Sequence, residues 1–164
     1  MADVNCCKNK IAKFPIQFGS SESTCLILSS CTFMIPAYYA LMHETMYLYG
    51  VLSIITSLVS INYWRYADIG HFSRYMDLCV SKISFIIYFV SGVIYFYYVP
   101  SLFSIALPIC LSIIYSFHYS GILWSLDKYE WMYLHVLFHI LVAIEQCLVI
   151  YAGIQYYGMD VCVK

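Results

Sequence analysis

From Ile83 to Leu126 the chain carries no Asp, Glu, Lys or Arg. A helix rises about 1.5 Å per residue, so this run is far too long for one crossing of a ~30 Å hydrocarbon layer. It is also too apolar to face water, and the reading that satisfies both facts is two crossings with one turn between them. Pro100 follows the aromatic block Tyr95-Phe96-Tyr97-Tyr98 and disfavours helix continuation, which puts the turn there.

The other uncharged runs fit the same pattern. Between Glu22 and Glu44 the only acidic or basic side chain is His43, and between Glu44 and Arg65 there is none. The two runs meet at Met42-His43-Glu44-Thr45, where a tight helical hairpin is expected. A last run extends from Trp131 to Gly158, interrupted by His135, His139 and Glu145. The reading is all-α: an integral membrane bundle of about five helices in one domain, 23–158, with spans at about 24–42, 45–64, 80–98, 101–119 and 131–153. A cytosolic tail, 1–22, precedes it and a short tail, 159–164, follows. Pro36 and Pro108 fall inside spans and are expected to kink them. Tyr and Trp cluster near the expected ends (Tyr63-Trp64-Tyr66, Tyr97-Tyr98, Tyr129-Trp131-Tyr133, Tyr156-Tyr157), where such rings favour the headgroup level.

Composition agrees: 63% of residues are apolar and 10% charged, where about 25% charged is usual in soluble domains. The net charge of -1 and the lack of a basic run give no reason to expect a nucleic-acid partner; the expected partner is the lipid bilayer. The eight cysteines include no C-x-x-C pair, so no disulfide or zinc-ribbon framework is read. Cys6-Cys7 is a palmitoylation candidate, weaker than its reading as two ordinary tail cysteines. No cleaved signal peptide is expected in the first residues. Lys8, Lys10, Lys13, Arg65, Arg74, Lys82 and Lys128 fall on one side of the five-span arrangement and only Lys164 on the other. The positive-inside tendency then puts the N-terminus in the cytosol and the C-terminus opposite.

Ionisable groups within spans are rare because desolvation is costly, so each is a functional candidate. Asp77 opens span 3, His118 closes span 4, His135 and His139 lie in the first turns of span 5, and Ser60 and Asn62 sit near the end of span 2. All are expected at one depth, near the cytosolic face. His135 and His139 are four residues apart and share a helical face. Two imidazoles so placed suit zinc, with a carboxylate such as Asp77 as a further ligand. The plainer reading, histidines bonded to headgroups or tyrosines, carries more weight for the pair alone, and Asp77 also suits an ion pair with Arg74. Gln146 continues the histidine stripe. Glu145 points about a quarter turn away and lies deeper, as a proton carrier, an outer partner of the site or a helix contact. His43 and Glu44 read as a solvated turn. His71 has no clear partner.

Ser60-Ile61-Asn62-Tyr63-Trp64 followed by Asp77, and His135-Val136-Leu137-Phe138-His139 in the last span, resemble the S-x-x-x-H, Asp and terminal H-x-x-x-H of the CREST superfamily, the alkaline ceramidases and adiponectin-receptor-like membrane hydrolases. The resemblance implies a zinc held by His135 and His139, with Asp77 and Ser60 at the reacting centre and a lipid amide or ester as substrate. Trp64 stands where the family has a metal-binding His, and five spans stand where it usually has seven. Either His118, or His71, supplies the third nitrogen, or the site is degenerate. Three functions follow as expectations: a membrane protein of structural or interaction role, a zinc-dependent lipid hydrolase, and a small proton-coupled carrier built on Glu145.

Overall fold

The computed structural model describes residues 19–65, 72–126 and 128–162. The Cys6-Cys7 pair, His71 and most of the two tails lie outside the described residues. Within them the chain forms five helices long and apolar enough to cross a membrane: α1 (Ser21–Leu41), α2 (Glu44–Arg65), α3 (Phe72–Tyr98), α4 (Pro100–Ser125) and α5 (Trp131–Cys162). No strand occurs among the described residues. The chain is a multi-pass helical bundle of the kind that integral membrane proteins form.

Local chemistry explains the boundaries. Gly19, at φ 85°, turns the chain into Ser20, whose side chain accepts from the backbone N–H of Ser23 and caps α1. A 3-10 turn, Cys31–Phe33, interrupts α1 just before Pro36. Proline lacks the N–H that would bond four residues back, so the helix tightens locally instead of running straight. Pro108, by contrast, sits within an unbroken α4. The α1–α2 hairpin closes through His43 N–H to Ala40 O at 3.1 Å and Met46 N–H to His43 O at 2.9 Å. Between α3 and α4 only Val99 is non-helical, and Pro100 opens α4 at the first position, where its missing N–H costs nothing. The turn thus falls where Pro100 predicts it.

Three helices are longer than the expected spans. α3 starts at Phe72, α4 runs to Ser125 and α5 to Cys162. The expected spans were cut where polar residues begin. Helices continue through such residues, because their backbone bonds are internal and the polar side chains reach the interface. Asp77, expected to open span 3, lies in the second turn of α3.

Helix α5 is central. It packs against α4, α3 and both halves of α1, while α2 packs against α1 and α3. One apolar cluster (Ala40, Met46, Tyr88, Tyr95, Phe96, Ala106, Val149, Ile150, Ala152) fills the Tyr98 end of the bundle. A smaller one (Leu26, Tyr63, Trp64, Met132) fills the Arg65 end. Between them the interior is rich in hydroxyls: Ser30, Ser53, Ser57, Ser60 and Ser84 are all buried. The outward faces are apolar, with Ile86, Phe89, Val93 and Leu111 more than half exposed. That distribution suits lipid outside, and small polar residues inside let helix backbones approach closely.

Candidate functional site

At the Arg65 end, four helices bring the singled-out polar groups together in two linked sets. In the first, the Ser60 side chain of α2 shares a hydrogen bond with the Asp77 carboxyl group of α3. Ser60 Oγ also lies 3.0 Å from Ser30 Oγ of α1. Ser57 Oγ donates to the Ser30 carbonyl at 2.9 Å, and Ser30 Oγ donates to Leu26 O at 2.8 Å. The second set is built on α5. His139 Nδ1 is 2.8 Å from Ser29 Oγ, the residue next to Ser30. Ser29 Oγ is also 2.9 Å from Leu26 O. One hydroxyl has one proton. When Ser29 donates it to Leu26 O, His139 donates from Nδ1 and keeps a lone pair on Nε2.

The two imidazoles lie ring to ring, with centroids 4.8 Å apart and planes at 69°. His139 is buried at 4% exposure and packs on Phe33 at 5.4 Å. His135 is covered edge-on by Trp64 at 5.2 Å. Trp64 in turn stacks on Trp131 at 6.3 Å, and Trp131 meets Trp124 edge-on at 4.4 Å. Trp64 is itself 4% exposed, and its indole nitrogen has no hydrogen-bond partner. An aromatic lid, not a third imidazole, therefore lies beside the pair. The carbonyl of Trp64 is satisfied by Ser23 Oγ at 2.8 Å.

The structure thus brings Ser60 to Asp77 and His135 to His139, and joins both pairs to the Ser29-Ser30 step of α1. His118 is not in this group. Buried Ile113, Ser116 and Ser120 mark the inward face of α4, and His118, two residues from each serine, is exposed on the other side. Among the described residues, no three His, Cys, Asp or Glu side chains converge in a way that could hold a metal ion. The expected ligands His135, His139, Asp77 and His118 belong to no such group among the described residues. Ser29, Ser30 and Ser57 were not singled out from the sequence. The signal available was only that serines recur at helical spacing (Ser53, Ser57, Ser60) within a span.

Deeper in the bundle, Gln146 is buried and its Oε1 accepts from Ser53 Oγ at 3.4 Å. Ser53 Oγ also lies 2.8 Å from Tyr88 Oη, which donates to the Tyr49 carbonyl. Tyr49 Oη lies 2.7 Å from Ser91 Oγ and 3.0 Å from Tyr95 Oη. Glu145, on the adjacent face of α5, has a buried Oε2 with no hydrogen-bond partner. A buried acceptor left unmade costs about 1–3 kcal/mol. Glu145→Met, which keeps the length and removes the polar end, is expected to raise stability by about 1–2 kcal/mol, read as thermal unfolding in detergent. A fall of that size would mean that the carboxyl has a partner.

Compared with protein-family models, curated proteins and solved structures, the chain matches none.

Proposed function

We propose that this chain is a multi-pass membrane protein of structural or interaction role, with its N-terminus in the cytosol. One observation carries the reading: the polar groups at the Arg65 end bond to one another, Ser60 to Asp77, Ser30 to Ser60 and Ser29 to His139, while Trp64 covers His135. Interhelical hydrogen bonds of this kind hold bundles together in lipid. The orientation rests on the asymmetry of Lys and Arg across the five helices.

A second reading keeps the same residues for chemistry, as a zinc-dependent hydrolase of a lipid amide or ester. It is favoured by the Ser60–Asp77 bond and by the lone pair that stays on His139 Nε2 when Ser29 donates to Leu26 O. His135 and His139 fit a metal as nitrogen donors, and a bound zinc would supply an acidified water. Ser60 would then orient a carbonyl oxygen beside Asp77.

Metal analysis of the purified chain separates the two. The first reading expects no stoichiometric zinc, before or after incubation with the ion. About one zinc per chain, lost in a His135→Ala/His139→Ala variant, would replace it with the second.

A further inference from the structure

Helices α2 and α3 run antiparallel and exchange side-chain contacts at fixed rungs. Asp77 meets Ser60, Tyr88 meets Ser53, and Ser91 and Tyr95 meet Tyr49. Ser84 lies on the same face of α3, two turns after Asp77 and one before Tyr88. By this register Thr56 and Ser57 of α2 are level with it. The rung at this level is missing: Ser84 is 3% exposed, and its Oγ has no hydrogen-bond partner.

The orphan is informative because the chain has a standard alternative. Thr24, Ser30, Thr56 and Ser112 donate to the carbonyl four residues back in their own helix, and Ser104, Ser116, Ser120 and Ser125 to the carbonyl three back. The Val80 and Ser81 carbonyls offer Ser84 the same bond, and it does not take it. Asp77, Ser84 and Tyr88 share one face of α3, and the two that flank Ser84 meet α2. There Thr56 Oγ1 donates to Leu52 O and Ser57 Oγ to Ser30 O. Both protons are engaged, but each oxygen keeps a lone pair. The level therefore holds an unpaired buried hydroxyl on α3 and, on α2, hydroxyl oxygens with spare acceptor capacity, that of Ser57 turned toward α1.

We propose that Ser84 forms one wall of a buried water site between α2 and α3, level with Thr56 and Ser57, whose water joins the Asp77–Ser60 rung to the Tyr88–Ser53 rung. A water needs two to four polar partners, and this site offers Ser84 together with the hydroxyls opposite. In lipid no bulk water is at hand, so an internal one restores what the helix side chains leave unmade. The seam between α2 and α3 is then hydrogen-bonded from Asp77 to Ser53.

A structure of the full chain in lipid nanodiscs, resolved well enough to show ordered water, tests this. The expected result is density about 2.8 Å from Ser84 Oγ and within hydrogen-bond reach of Thr56 or Ser57. No density there, or Ser84 turned onto the Val80 or Ser81 carbonyl, overturns the proposal. Thermal unfolding of two mild variants gives an independent reading. With a water present, Ser84→Ala removes one of its partners and Ser84→Val displaces it. The valine variant should then melt lower than the alanine variant, by about 3 °C. In a dry site the valine fills space, and an unfolding midpoint at or above that of the unsubstituted chain overturns the proposal.

Discussion

Gly153→Leu is expected to lower the stability of the bundle by about 3 kcal/mol, the upper range for forcing bulk into a packed interior. A Cβ at Gly153 would lie 2.6 Å from Met46 Cε and 2.9 Å from Tyr95 Cε2. Met46 is flexible but fully buried, at the start of α2. The Tyr95 ring is less free, since its hydroxyl meets Tyr49 at 3.0 Å and its face lies against Tyr156 at 5.6 Å. Alanine asks the methionine end to move and the Tyr95 ring to give slightly, and about 1 kcal/mol is expected for it. Leucine must displace both neighbours and so separate α5 from α2 and α3. Thermal unfolding in detergent measures both. Gly121→Leu is the control, because nothing lies within 4 Å of a Cβ at Gly121.

His139→Ala is expected to cost a similar amount, about 3 kcal/mol, for different reasons. The imidazole fills space against Phe33, His135 and Phe138, and its loss leaves a void among those rings. It also removes the partner of Ser29 at 2.8 Å. The two contributions separate in a second variant. His139→Phe keeps most of the volume and loses only the hydrogen bond, for which about 0.6 kcal/mol is typical between helices in lipid, with 1.7 at the high end. His118→Ala, on the exposed face of α4, should leave the unfolding midpoint unchanged. Equal effects at His139 and His118 would contradict the arrangement described.

The difference between these two histidines shows what the sequence conveys. Position along a helix axis was readable: His118, Asp77, Ser60 and His139 were all expected at one depth, because each has a countable distance from the end of an uncharged run. Rotation about the axis was not. In a soluble helix the polar face marks the outside, but α4 has apolar residues on every side, and only the buried Ile113, Ser116 and Ser120 reveal which way it faces. His118 therefore lies on the outward face of α4, which its place along the run could not reveal. The helices themselves were legible because a run such as Ile83–Leu126 admits few solutions, and Pro100 marked its turn. Of the pairings across helices, Ser60 beside Asp77 was expected only through the family resemblance. Ser29 with His139 was not expected, since nothing local distinguishes Ser29 from the other serines of α1.

The central place of α5 has a consequence for how the protein is made. Translation delivers α5 after the other four helices, yet α4 leans almost wholly on it, and α1 and α3 each need it to bury their inward faces. Until Trp131 and the residues after it leave the ribosome, Tyr88, Tyr95 and Met46 lack the wall that Val149, Ile150 and Gly153 provide. Insertion of the individual segments and closure of the bundle are therefore separate events in time. During the interval between them, Ser29 and Ser53 wait for His139 and Gln146, while Ser30, Ser57 and Ser60 can already pair among the first three helices.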